Sequence, residues 1–198
     1  MSRFTVPSGY SEEQWNALPV RERALISAAY HADQLKVRET GINQGAWIDA
    51  YLLSANLKNP KPRGYPYCAA FVTWHYTNGA KIPFRTLVVS GASACTILRS
   101  KRTIIHQGKK ISIAPVSRNE VKRGDLFGWC NASKWQGHIG FVVAVRVKGG
   151  RTYIDTIEAN TSPDPKTPQE DRDGGGVYRR TREVTNNFLF SRVTVADD

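Results

Sequence analysis

At Ile111 the spacing of apolar residues changes from helical to strand-like. That change restricts the chain to folds in which helices come first and a sheet follows. Ser11-Glu12-Glu13-Gln14 has capping-box form and predicts a short helix with Trp15 and Leu18 facing inward. A second helix is predicted over 20–35, where Leu25, Ala28, Ala29 and Ala32 recur at helical spacing. A third, over 44–55, carries Trp47, Ile48, Tyr51 and Leu52 on one face. A fourth starts near Pro66 and stops at Asn78-Gly79, and a shorter one follows Gly91-Ala92-Ser93. Strands are predicted at 111–114, 125–130, 138–147, 152–158, 176–180 and 188–195. Helices followed by an antiparallel sheet make an α+β domain. The 198 residues suit one such domain and suffice to bury a core.

The fourth helix carries the first chemistry. Gly64-Tyr65-Pro66-Tyr67-Cys68-Ala69-Ala70-Phe71-Val72-Thr73-Trp74 sets a thiol on its first turn. Pro66 suits the start, because its missing N–H is one the helix would leave unpaired. Residues after Cys68 are apolar on nearly every face, so the helix belongs to a core. A helix N-terminus carries partial positive charge and favours thiolate over thiol, which makes Cys68 a candidate nucleophile rather than only a small core residue.

Downstream, Gly137-His138-Ile139-Gly140-Phe141 opens an apolar strand, and 153–160 reads as the returning strand of a hairpin. Side chains alternate along a strand, so Glu158 and Asn160 face the same way. The hairpin sets His138 beside them. Cysteine, imidazole and an orienting carboxylate or amide are the parts of a thiol acyl-transfer enzyme.

These residues carry a family resemblance. The chain resembles a CHAP domain, a cysteine- and histidine-dependent amidohydrolase/peptidase with a papain-like fold. The similarity runs through Glu39–Gly45, Tyr67–Val72, Gly124–Phe127, Gly137–Phe141 and Thr156–Thr161, and ends near Gly176–Arg180. The resemblance implies Cys68 as nucleophile, His138 as general base, and Glu158 with Asn160 as the orienting pair. It implies peptidoglycan amide bonds as substrate, cut by an amidase or endopeptidase. The expected layout is one catalytic domain over 1–198, with a helical extension at 1–37, the CHAP-like core at 38–182, and a strand and tail at 183–198. The Cys68 backbone N–H supplies one oxyanion donor; Tyr65, Asn43 and Gln44 are candidates for the second. Glu39 is read as structural. Members often bind calcium through acidic residues ahead of the nucleophile, but here 59–65 reads Asn-Pro-Lys-Pro-Arg-Gly-Tyr, without a carboxylate. Hard cations need several oxygen ligands, so no calcium, and no other cofactor, is expected. Tyr67 also stands where members often carry tryptophan.

The cysteines Cys68, Cys95 and Cys130 show no paired spacing, which argues against a disulfide framework. They form no C-x-x-C, and His31, His75 and His106 stand alone, so no zinc site is expected. His75, seven residues after Cys68, reads as a core or rim histidine. No signal peptide or membrane-length apolar run is visible, so synthesis in the cytoplasm is expected, with action on the wall after release or delivery. That suits a phage-type lysin or a delivered toxin.

The net charge of +11 is concentrated: between Arg99 and Arg123 the only acid is Glu120. Such a face attracts anionic envelope polymers. Clustered cations also bind phosphate of nucleic acid, but no nucleic-acid-binding motif accompanies them, and none is expected as a partner. A monomer is expected. The stretch 162–176 reads as a long loop at the rim of the site. Two other functions fit the same residues: a cysteine peptidase or transferase acting on protein, and a non-catalytic envelope-binding module that works through the basic face.

Overall fold

The computed structural model describes residues 4–59, 63–131, 137–164, 166–167 and 174–196. The helices are α1 (Glu12–Ala17), α2 (Val20–Asp33), α3 (Ala46–Ser54), α4 (Cys68–Trp74), α5 (Phe84–Leu87) and α6 (Ala94–Arg99). The strands are β1 (Arg102–His106), β2 (Lys109–Pro115), β3 (Leu126–Cys130), β4 (Gly137–Lys148), β5 (Arg151–Thr161), β6 (Gly176–Glu183) and β7 (Leu189–Val195). They form one antiparallel sheet of seven strands in the order β1-β2-β7-β3-β4-β5-β6. The class is α+β, consistent with a papain-like fold.

The sheet buries both faces. On one, α2, α4 and α6 pack over Ile139, Phe141, Ile157, Ala159 and Val177. Every residue of α4 is buried. Placing one such side chain as large as Phe71 out of water contributes roughly 1.5–3 kcal/mol. On the other face Phe127, Val142, Ile154 and Phe190 form a smaller cluster, flanked by Trp129 and Phe188. The hairpin of β4 and β5 runs through the middle of both layers, so the residues it presents are held from two sides.

The N-terminal helices brace α4. The capping box predicted at Ser11 is present: the Ser11 hydroxyl accepts from the Gln14 N–H. Trp15, buried as predicted, donates its indole N–H to the Gly79 carbonyl at 3.1 Å. Ala24, Ala28 and Ala32 let α2 approach closely, and His31 and His75 lie in the aromatic layer between Trp47, Tyr51, Phe71 and Trp74. His75 Nδ1 is 2.8 Å from the Ser27 hydroxyl, and His31 Nδ1 is 2.6 Å from that of Tyr51. Burial lowers the pKa of His31 to about 3, and burial followed by the charge of His31 lowers that of His75.

Several expectations are corrected. Pro66 precedes the helix instead of starting it: Tyr67 is the N-cap and Cys68 the first helical residue. The α-helix ends at Trp74, and His75–Gly79 continues as a π-helical turn, which brings His75 against Ser27. Strand β1 and helix α5 were not foreseen. The expectation of no disulfide is also overturned: Cys95 and Cys130, 35 residues apart, are bonded with their Cα atoms at 5.5 Å. Their meeting follows from α6 packing on β3, which sequence spacing does not reveal. Cys68 is the free cysteine. Residues 60–62, 165 and 168–173, parts of the carboxylate-free stretch ahead of Cys68 and of the predicted rim loop, lie outside the described residues. Among the described residues no helix is long and apolar enough to cross a membrane.

Candidate active site

Cys68 opens α4, so its backbone N–H is one of those a helix leaves without an intrahelical acceptor. The chain reaches it along a tightly fastened path. Asn59 donates to Asp49 Oδ1 at 2.7 Å and to the Asn43 carbonyl at 3.0 Å, and its Oδ1 accepts from the Tyr65 N–H at 3.1 Å. Gly64 passes so close that a Cβ there would lie 2.1 Å from the Asn43 carbonyl oxygen, a distance no side chain tolerates. The Asn43 amide donates to the Gly64 carbonyl at 3.4 Å, so this oxyanion candidate is committed to the backbone. Glu39 accepts from the Asn43 N–H at 2.9 Å.

Tyr67, the residue before Cys68, is fully buried. Burial raises its pKa well above the ordinary tyrosine value, with the nearby Glu39 carboxylate adding to the effect and the Asn160 backbone opposing it. Its hydroxyl sits between the 39–45 turn and β5, without a well-directed hydrogen bond among the described residues.

His138 is the second residue of β4 and faces Trp129 across the β3–β4 ladder, with the two rings 4.8 Å apart. Its Nε2 is 2.8 Å from Glu158 Oε2 on β5. That leaves Nδ1 as the ring nitrogen for the thiol; it is buried and has no other partner among the described residues. Burial opposes a charged imidazole here. Hydrogen bonding to Cys68 and to Glu158, and the negative charge each can carry, outweigh burial and raise His138 to about 9. The imidazole is therefore protonated at neutral pH. Cys68 is 5 % exposed, and His138, Glu158 and Asn160 are 0 % exposed, so the group works in a low-dielectric setting.

Glu158 is held ionised far below the usual carboxylate range. Burial works against the charge, but hydrogen bonds from Arg182 and then His138, with their positive charges, prevail. The Thr156 hydroxyl also donates to Glu158 Oε1. Arg182, on β6, was not singled out from the sequence. Strand alternation gave the available signal: Arg182 pairs with Ile154, which shares a face of β5 with Thr156 and Glu158.

Asn160 enters by a different route from Glu158. It is the extra residue of a β-bulge between the Ala159↔Val177 and Thr161↔Gly176 pairs, with φ of 61°. Bulges commonly re-aim a side chain beside a functional site, and asparagine tolerates the left-handed region better than most residues. The Asn160 carbonyl accepts from the Gly174 N–H at 3.1 Å, which anchors the end of the predicted rim loop to the bulge. Among the described residues no group of three or more His, Cys, Asp or Glu side chains could hold a metal ion.

Cys68, His138 and Glu158 thus come from α4, β4 and β5 to one buried locus, in which the imidazole stands between the cysteine sulfur and the carboxylate, and Asn160 is buried in the bulge two residues beyond Glu158. A family model, the CHAP domain, matches residues 60–160, about half of the chain. The match opens just ahead of Cys68 and closes on Asn160, whereas Arg182 lies beyond it. No curated protein and no solved structure matches the chain. The chain belongs to the CHAP domain family, whose members are hydrolases of the amidase and peptidase type that commonly act on peptidoglycan.

Proposed function

We propose that the protein is a cysteine-dependent peptidoglycan hydrolase that cleaves an amide bond through a covalent acyl-enzyme. The observation that carries this reading is His138 held between Cys68 and Glu158 with its pKa raised to about 9. In the proposed cycle the Cys68 sulfur attacks the scissile carbonyl as thiolate. The Cys68 N–H stabilises the oxyanion, and the His138 imidazolium gives its proton to the leaving amine. Neutral His138 then takes a proton from water, which attacks the thioester and releases the acid product, with the Cys68 thiolate and the His138 imidazolium restored. Glu158 holds the ring and balances its charge throughout, and Asn160 shapes the site from the bulge.

The basic surface supports action on an anionic wall. Arg99, Lys101, Arg102, Lys109 and Lys110 gather on the end of α6 and the β1–β2 hairpin, and none has an ion-pair partner among the described residues. The Cys95–Cys130 disulfide supports a place of action outside a reducing cytoplasm, as for a released lysin or a delivered toxin.

Digestion of purified sacculi tests the reading. The wild-type protein releases soluble fragments whose masses identify the amide cut, and Cys68→Ser releases none while its unfolding temperature is unchanged. Full digestion by Cys68→Ser overturns the assignment. Cleavage of a casein panel with intact sacculi would move the substrate from wall to protein.

A further inference from the structure

We propose that Arg182 is a positioning residue for the Cys68–His138 pair, acting through Glu158, and that it completes a buried row of four groups running Cys68, His138, Glu158, Arg182. The proposal rests on the cysteine-hydrolase reading but reaches past the family-matched segment, which ends at residue 160.

The geometry is specific. Arg182 Nε donates to Glu158 Oε1 at 2.7 Å, and Nη2 donates to Oε2 at 2.6 Å. This two-point grip fixes the plane of the carboxylate as well as its position, which a single ammonium cannot do. The same Oε2 meets His138 Nε2 at 2.8 Å, so the plane of Glu158 sets the direction from which the imidazole is held. The Arg182 side chain is 9 % exposed and Glu158 0 %, and the guanidinium lies 4.9 Å from the ring centroid of Trp129, which also packs on His138. Arg182 therefore touches both supports of the imidazole, the carboxylate and the aromatic wall.

A buried ion pair adds little net stability, because desolvation of both charges offsets their attraction. Its effect is on the neighbour. Among the described residues the groups facing Glu158 and His138 are Cys68 from α4, Trp129 from β3, Thr156 from β5 and Arg182 from β6, with Tyr67 between Glu39 and the Asn160 backbone. Of these, Arg182 is the only fixed positive charge in contact with Glu158. Without it the carboxylate faces the imidazole uncompensated, and the imidazolium binds its proton more tightly.

The test uses the full chain and three variants, Arg182→Gln, Arg182→Lys and, for comparison, Glu158→Gln. Two readouts are taken across pH: wall cleavage, and the rate at which iodoacetamide alkylates Cys68, whose sulfur displaces iodide. Cys68 is the free cysteine, so alkylation reports on it without any wall substrate. Arg182→Gln is expected to lower kcat about 10²-fold with KM little changed, the size of loss that follows a small misplacement of a reacting group. The alkaline limb of both profiles moves to higher pH. Arg182→Lys keeps the charge and loses one hydrogen bond, so its limb stays in place while kcat falls by less. If Arg182→Gln does not fold, an unmoved limb with lowered kcat in Arg182→Lys carries the proposal, and a wild-type kcat there overturns it. A folded Arg182→Gln with wild-type kcat and unmoved limbs also overturns it. A moved alkylation limb in Arg182→Gln, together with no wall cleavage by wild type, upholds the role of Arg182 and sinks the hydrolase reading instead.

Discussion

Gly140 and Glu158 are partners across β4 and β5, and a Cβ on Gly140 would lie 2.8 Å from the Glu158 side chain. The same atom would come within 2.7 Å of the Ile157 carbonyl oxygen and 2.9 Å of the Phe127 ring. Glycine at this position clears the volume through which Glu158 bends toward His138. Gly140→Ala is expected to cost roughly 1–3 kcal/mol through overpacking. Because the backbone oxygen cannot yield, Glu158 moves, and wall cleavage by the folded variant falls at least tenfold. Thermal unfolding and turnover measured on one preparation check both parts; undiminished turnover would show that Glu158 reaches His138 by another path.

Glu158→Gln keeps the size of the side chain and removes its charge. Positioned acid–base assistance is worth ~10²–10⁴ in rate, and a loss in that range is expected in sacculus digestion. A neutral amide also withdraws the support for imidazolium, so the alkaline limb near the His138 pKa of about 9 moves down. The direction is opposite to that for Arg182→Gln, which makes the two variants a matched pair.

At Asn160 the backbone and the side chain can be tested apart. Asn160→Gly keeps the positive φ at no steric penalty, whereas Asn160→Ala adds a left-handed strain of roughly 1–2 kcal/mol. If the amide contributes to turnover, both variants lose activity alike and only the alanine loses stability. If the bulge alone matters, the glycine variant retains cleavage.

Stability should be greatest near neutral pH. His138 has its folded pKa raised from 6.5 to about 9, so its contribution is complete below 6.5 and is lost as pH rises through 9. His31, lowered to about 3, and His75, lowered as well, act on the other side. The unfolded chain protonates both as pH falls below 6.5, and the folded chain does not, so stability declines steadily from there toward 3. Denaturant midpoints taken from pH 4 to 10 check this; a midpoint still rising above pH 9 would contradict the assignment of His138.

The basic hairpin predicts a salt effect confined to the large substrate. Screening shortens to roughly 8 Å at physiological ionic strength, so association with sacculi weakens as salt rises while alkylation of Cys68 changes little. Excess chelator should alter neither. Calcium-reversible inactivation would mean that residues 59–65 were misread.

What could be read from the sequence depended on the range of the signal. The period-2 alternation of β4 and β5, and the order Cys68, His138, Glu158, Asn160, are local patterns, and the structure links Cys68, His138 and Glu158 while Asn160 sits in the bulge that follows. Strand β1 was missed because Arg102–His106 is largely exposed, pairs only with β2, and so lacks a buried alternating face. The π-helical turn was missed because Ser27, whose hydroxyl meets His75, is 48 residues away. Arg182 looked like one cation among several at the end of a strand, and its partner is chosen by how β6 lies on β5. The disulfide belongs to the same class, since it depends on where α6 settles.

That disulfide places two opposed redox demands on one chain. On the proposed mechanism Cys68 works only when reduced, while Cys95 and Cys130 fasten α6 to the strand end beside Trp129 only as a disulfide. A strong dithiol added to keep the nucleophile reduced will, given time, open the cross-link and remove roughly 2–4 kcal/mol of stability. Assays in reducing buffer and assays in air therefore compare two different molecules. On that mechanism the fully active species is the mixed one, reduced at α4 and oxidised between α6 and β3.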